Sequence, residues 1–68
     1  MQPDIVLIAL VERRTTGASI HAVRNALSCY RSYVELSEDD PAAQEKAKEY
    51  EQRLRAFAVS GKVEHLRI

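Results

Sequence analysis

The chain of 68 residues has few of the residue types that stabilise small folds or build catalytic loops. It contains one cysteine, two glycines and no tryptophan. A single thiol cannot form an internal disulfide, and Cys29 with two distant histidines, His21 and His65, falls short of the four ligands of a structural zinc site. The isolated Gly17 and Gly61 do not form a glycine-rich phosphate loop. A domain this small buries only about 60% of its unfolded surface, so a second subunit is the remaining source of stability.

An excess of charge is also missing, because ten basic residues balance ten acidic ones. A general polyanion-binding domain would be expected to be basic. The longest apolar run covers residues 5–11, whereas a membrane span needs about 20 residues. The first residues lack the basic character of a signal peptide, and a lone cysteine suits a reducing compartment. We therefore expect a single cytoplasmic domain over residues 1–68 without a membrane segment.

Apolar spacing and capping residues predict an all-α fold. We expect helices over residues 4–14, 19–36 and 41–59, followed by an extended tail over residues 62–68 whose apolar side chains Val63, Leu66 and Ile68 pack on the helices or pair with the first segment. Ser19 is a candidate N-cap, and Asp40 followed by Pro41 is the strongest helix start. Gly17 can supply a left-handed stop to the first helix.

The first segment is ambiguous, because residues 5–11 are apolar on every side. Such a run predicts either a buried helix or a buried strand. We favour a helix, since a lone strand would leave its backbone groups unpaired.

Two interleaved apolar rows run along the second helix, since residues three and four apart share a helix face. The first seam is Ile20, Val23, Leu27, Tyr30 and Val34; the second seam is Ala22, Ala26, Cys29, Tyr33 and Leu36. The third helix has one row, namely Ala43, Ala47, Tyr50, Leu54 and Phe57. The short connection over residues 37–40 predicts that these two helices form an antiparallel hairpin. That hairpin uses the first seam and leaves the second for another copy, so the predicted homodimer interface is Ile5, Ile8, Ala22, Ala26, Cys29 and Leu36.

The polar side of the second helix is the candidate partner-binding face. It comprises His21, Arg24, Asn25, Ser28, Arg31 and Ser32, with Tyr33 at its edge. A solvated face is the ordinary interpretation of such a stripe. Arginine is enriched at interfaces while lysine is depleted, and this stripe has arginine without lysine, which favours a docking face.

Catalysis is not expected from these residues. His21 has no acidic neighbour on its face to make it a general base, and Cys29 lies in an apolar row without an activating group. We predict no catalytic, cofactor-binding or metal-binding residues.

A helix-turn-helix that binds DNA is the alternative. Residues 15–18 separate two predicted helices. The second helix would present to the major groove Ser19, His21, Arg24, Asn25 and Ser28, and Arg13 and Arg14 could contact phosphates. Against this, Glu12 and Arg13 occupy positions where the first helix of that motif should be apolar or small.

In its length, lack of catalytic residues and helical hairpin, the chain resembles small phage or plasmid proteins that bind and disable a bacterial host factor. Anti-activators that block a quorum-sensing transcription regulator are one such group. The resemblance implies a homodimeric, non-enzymatic inhibitor that binds a bacterial regulatory or host protein stoichiometrically. It assigns a role to no individual residue.

Overall fold

The computed structural model describes residues 2–67 and is helical throughout its regular structure. The elements are α1 (Ile5–Arg14), α2 (Ile20–Leu36), α3 (Pro41–Ser60) and a 3₁₀ helix (Val63–Leu66). No strand occurs between residues 2 and 67, so the all-α class is confirmed. The most extensive contact is between α2 and α3, and α1 packs more closely on α3 than on α2.

The first segment is a helix, as favoured, because its start is capped. The Leu7 amide donates to the Asp4 carboxylate over 3.0 Å, which satisfies one of the free N–H groups at the helix end. The expectation that this helix would be buried on all sides is wrong. Val11 is fully buried, whereas Ile5 is 75% and Val6 70% exposed. A third layer that would cover the outer side of α1 does not exist within residues 2–67.

The connection between α1 and α2 differs from the prediction at both of its key residues. Gly17 does not supply a left-handed stop, because Gly61 is the glycine with positive φ in residues 2–67. Instead α1 ends at Thr15, which has extended backbone angles. Ser19 precedes α2 but makes no capping bond to it. Its hydroxyl accepts from the Thr16 amide over 2.9 Å and closes the turn, and its side chain is buried.

The third helix agrees with the prediction in its start, end and buried face. The Ala42 amide donates to the Asp40 carboxylate over 3.0 Å. Gly61 adopts φ 71°, and its amide donates to the Phe57 carbonyl over 2.7 Å, a left-handed helix end that favours glycine. Its buried residues are the predicted row: Ala43, Ala47, Tyr50, Leu54 and Phe57.

On the outer side of α3, acidic residues pair with basic residues four positions later. Glu49 lies 3.1 Å from Arg53, and Glu51 lies 2.7 Å from Arg55. The hydrogen bond from Arg53, with the nearby Lys46 charge, lowers the pKa of Glu49. Exposed pairs of this type each contribute less than about 1 kcal/mol to the free energy of unfolding, so they do not determine the fold.

The tail is a 3₁₀ helix and not the expected extended segment. It packs on α3 and α2, and Leu66 is buried. Arg53 fixes its end by donating to the Arg67 carbonyl over 2.7 Å. Packing on the helices is thus confirmed, whereas strand pairing with the first segment does not occur. The prediction for Ile68 lies outside the described residues.

Residues of both seams of α2 contact other parts of the same chain. The first seam reaches α1, where the Asp4 amide donates to the Tyr30 hydroxyl over 3.0 Å. The second seam reaches α3, where the rings of Tyr33 and Tyr50 stack with centroids 5.6 Å apart. Burial raises the pKa of Tyr50, and neighbouring Cys29 adds to the shift. Residues of both seams therefore pack within this chain, whereas Leu36 at the end of the second seam stays 58% exposed.

Removing the Tyr30 hydroxyl should loosen α1. We expect Tyr30→Phe to lower the free energy of unfolding by about 1–2 kcal/mol, because the part-buried Asp4 amide loses its acceptor. Urea denaturation measures the change. Tyr33→Phe is the control, because the Tyr33 hydroxyl makes no hydrogen bond within residues 2–67. This substitution should change the free energy of unfolding by no more than about 0.5 kcal/mol. Equal stabilities of the two variants would contradict this role.

Candidate protein-binding surfaces

The exposed side of α2 forms one wall of a shallow groove, and α1 contributes the other. We call it the polar groove; its lining residues are Glu12, Arg24, Leu27, Ser28, Arg31, Ser32 and Glu35. Leu27 of the first seam is its one apolar lining residue, beside two arginines, two serines and two glutamates. Protein interfaces likewise combine apolar contacts with polar, solvent-accessible groups.

The groove gathers most of the predicted partner-binding residues. Arg24, Ser28, Arg31 and Ser32 line it, and all four are exposed. His21 and Asn25 are exposed on α2 but do not line the groove. Tyr33 is the exception, because it is half-buried and its ring stacks on Tyr50. Its ring packs against the core, and its role at the edge of the docking face stays a prediction.

The groove contains two positive and two negative side chains, those of Arg24 and Arg31 and of Glu12 and Glu35. Arg24 and Arg31 are seven residues apart in the sequence, which corresponds to about two helical turns or roughly 10 Å along α2. Neither arginine forms an ion pair with another side chain in residues 2–67. Their guanidinium groups are therefore available to carboxylates of a partner, and arginine can bind such groups with two parallel hydrogen bonds.

Glu12 was absent from the predicted site. It lies on α1, and the sequence does not specify that this helix packs beside the arginine face of α2. The only available signal was its position one residue after the buried Val11, at the border of the apolar run. Its carboxylate gives the groove a mixed character that the α2 stripe alone does not show.

The buried residues require a correction to the predicted homodimer interface. Ala26 is 2% and Ile8 7% exposed, so both lie in the core of the single chain and cannot contact a second copy while it is folded. Ala22 and Cys29 are half-buried against the same core. The physical reason is that these four residues belong to, or pack against, the single cluster formed by the helices of one chain. Ile5 and Leu36 remain exposed and available.

A continuous apolar surface remains on the side of α1 that faces away from the other helices. We call it the α1 outer face; it consists of Ile5, Val6, Ala9 and Leu10. All four are exposed, although three are large aliphatic side chains. Val6 and Ala9 are three positions apart, and Ala9 and Leu10 lie four positions after Ile5 and Val6, so these side chains adjoin one another along the helix. Of these four residues, Ile5 alone belongs to the predicted homodimer interface.

The helix-turn-helix alternative fits the geometry poorly. Ser19, one of its proposed base-reading residues, is 4% exposed and bonded to Thr16. Glu12 and Glu35 share the groove with Arg24 and Arg31, and they would lie near DNA phosphates in that mode. Like charges at such short range oppose binding of a polyanion.

Other groups that could carry chemistry are dispersed. Within the part of the chain from residue 2 to residue 67, no three His, Cys, Asp or Glu side chains lie close enough to hold a metal ion. His65 lines a depression with Glu49, Arg53 and Glu64, where Arg53 is engaged with Glu49 and with the tail. No helix within residues 2–67 combines the length and hydrophobicity needed to cross a bilayer.

Comparison of the chain with protein-family models, with curated proteins and with solved structures gave no significant match. Function is therefore inferred from the two surfaces themselves, the polar groove and the α1 outer face.

Proposed function

We propose that this chain is a small non-enzymatic regulator that binds a bacterial regulatory or host protein stoichiometrically, as a homodimer in the cytoplasm. The observation that carries the proposal is the presence of two exposed arginines, Arg24 and Arg31, without ion-pair partners in one groove of residues 2–67. A solvated helix face commonly offsets its charges with pairs four residues apart, as α3 does. The arginines of α2 are instead left available.

The scaffold that we propose for this surface is an antiparallel hairpin of α2 and α3, with α1 lying across it. The short connection between Leu36 and Pro41 and the extensive packing of the two helices support this arrangement. The core behind the groove includes fully buried Tyr30 and Leu54. A rigid backing lowers the entropy lost on binding, so a small surface can bind usefully.

The groove would accept a helix or extended segment that carries carboxylates about 10 Å apart and an apolar side chain between them. The carboxylates would pair with Arg24 and Arg31, and the apolar side chain would contact Leu27. Basic residues on the partner would meet Glu12 and Glu35. This mixed pattern of charges would select one partner over acidic surfaces in general.

Removing the arginines tests the groove. We expect Arg24→Ala and Arg31→Ala each to weaken binding of the cognate partner at least about tenfold while leaving helicity unchanged, because truncated interfacial arginines often cost more than 1 kcal/mol. Tagged protein is used to capture partners from a bacterial lysate, mass spectrometry identifies them, and titration with the purified partner gives the affinities. Arg67→Ala is the matched control, since Arg67 is exposed outside the groove. Equal binding by all three variants would contradict the proposal.

DNA binding is tested separately by its salt dependence. Phosphate contacts make the affinity for DNA fall steeply as salt increases. We expect no shift of a mixed duplex library in gel electrophoresis at low salt. A shift that disappears with added salt and with Arg24→Ala would favour the DNA-binding alternative over the protein-binding one.

A further inference from the structure

We infer that the polar groove continues along α2 towards the first residues of the chain, and that the whole groove binds one helical segment of a partner protein, acidic in one half and basic in the other. This inference rests on the proposed protein-binding function. It adds a second recess to the binding surface and specifies the order of charges in the partner.

The second recess adjoins the polar groove near the end of α2. We call it the end recess; its lining residues are Gln2, Pro3, Arg31, Val34, Glu35 and Glu38. Arg31 and Glu35 line both the end recess and the polar groove, so the two form one continuous trough along α2. Between Arg24 and Glu35 the trough follows α2 for roughly 16 Å. That length matches about three turns of a partner helix and exceeds the reach of a single side chain.

The first segment of the chain supplies the other wall of the trough. Glu12 lines the polar groove, and Gln2 and Pro3 line the end recess. Helix α1 packs more closely on α3 than on α2, which leaves this side of α2 open. The hydrogen bond of 3.0 Å from the Asp4 amide to the Tyr30 hydroxyl ties the start of this wall to α2. The trough is therefore preformed, which lowers the entropy lost when a segment binds in it.

The charges of the trough change sign along its length. The order along the chain is Arg24 and Arg31, followed by Glu35 and Glu38. All four side chains are exposed, and none of them forms an ion pair in the part of the chain that the structure describes. The negative end of the α2 dipole lies beside the two glutamates and strengthens the acidic character there. Glu12 departs from this order, since it adds one negative charge on the α1 wall.

This order of charges determines the class of ligand. A polyanion such as DNA would be repelled by Glu35 and Glu38, and a uniformly basic chain would be repelled by the two arginines. A protein segment that carries the two signs in separate halves meets an opposite charge in both parts of the trough. Half-buried Leu27 and Pro3 lie in the same recesses, so the aliphatic stem of a partner lysine has an apolar surface on which to pack.

The spacing of charges in the trough sets the spacing in the partner. A helix lying alongside α2 would carry two acidic residues seven positions apart, and basic residues four and seven positions after the second of them. When the acidic residues come first, the second acidic residue and the first basic residue form a stabilising pair four positions apart. Both halves then also complement the dipole of the partner helix. We therefore place the partner helix parallel to α2.

A designed peptide is the probe for this order of charges. It is an alanine-rich helix with two glutamates seven positions apart, a leucine between them, and lysines four and seven positions after the second glutamate. Titration into isotope-labelled protein should shift the NMR signals of amides in residues 24–38 and leave those of residues 44–52 on α3 unchanged. A peptide with its glutamates and lysines exchanged should bind at least about tenfold more weakly, because each half would then meet a like charge.

The end recess is tested by a charge reversal at Glu38, which does not line the polar groove. Glu38→Lys should weaken binding of the designed peptide at least about threefold, and a peptide whose last lysine is replaced by glutamate should recover the loss in this variant alone. Asp39→Lys is the matched control, since it makes the same change of charge at the next exposed position, outside the end recess. It should leave the affinity within about twofold of wild type. Circular dichroism checks that both variants remain helical.

The outcomes separate the end recess from the polar groove. Equal weakening by Glu38→Lys and Asp39→Lys would indicate general attraction of charge and would overturn the inference. Peptide binding that is lost in Arg24→Ala but unchanged in Glu38→Lys would also overturn it, while the polar groove would remain the binding site. Absence of shifts with the designed peptide would overturn it as well, and capture of a protein through Arg24 and Arg31 would then still support the proposed function.

Discussion

Replacing Phe57 with alanine is expected to leave most of the chain unfolded at room temperature. Phe57 has no exposed surface and lies in the cluster that joins all the helices. A buried phenylalanine truncated to alanine costs about 3–5 kcal/mol, because apolar contact is lost and a cavity remains. A single core of this size rarely provides more than about 3–5 kcal/mol of net stability, so the loss is comparable to the whole.

Loss of the helical circular dichroism signal at 25 °C, together with a much lower thermal midpoint, is the measurement for Phe57→Ala. The control is Val59→Ala, two residues later on the same helix, where the side chain is 80% exposed. That change should move the free energy of unfolding by no more than about 0.5 kcal/mol. A Phe57→Ala chain that unfolds cooperatively near the wild-type temperature would show that the core is maintained by other residues.

The predictability of this fold depends on how local its signals are. Helix α3 was predicted almost residue for residue, since Asp40, Pro41 and Gly61 mark its ends and its apolar row has a single helical period. These signals require no knowledge of the rest of the chain. The Gly17 and Ser19 predictions failed for the complementary reason. Several turn geometries suit those residue types, and the contact of Ser19 with Thr16 selects one that uses neither a left-handed glycine nor a side-chain cap.

The burial of α1 could not be predicted because it depends on the arrangement of three helices. A run that is apolar on every side does not specify which side faces the core. The structure places Leu7, Ile8 and Val11 inward. Val6 points outward because α2 and α3 pack against the opposite side of α1.

The candidate groove was predicted in part for the same reason. Exposure of Arg24, Ser28 and Arg31 follows from the period of α2 alone. The position of Glu12 near these residues depends on how α1 packs beside α2, so it cannot be predicted from the spacing of residues within α2. The stacking of Tyr33 on Tyr50 could not be predicted, because an aromatic residue at the edge of a seam can turn towards a neighbouring helix or towards solvent.

The assignment of the second seam is tested by Ala26→Glu, which separates two outcomes. If the seam were a subunit interface, the variant would dissociate into folded monomers. The structure predicts instead that the chain itself unfolds, because Ala26 is 2% exposed in the intrachain core and a buried unpaired carboxylate costs several kcal/mol. Circular dichroism and sedimentation of the same sample distinguish a helical monomer from an unfolded chain.

The neighbouring variant Asn25→Glu supplies the control for Ala26→Glu, because it places the same side chain on the same helix at an exposed position. It should remain helical and nearly as stable as the wild type. A helical, monomeric Ala26→Glu chain would mean that Ala26 lies outside the intrachain core and that the second seam is open to a second copy. Unfolding confined to Ala26→Glu would show that Ala26 belongs to the intrachain core and that its burial is needed for the fold.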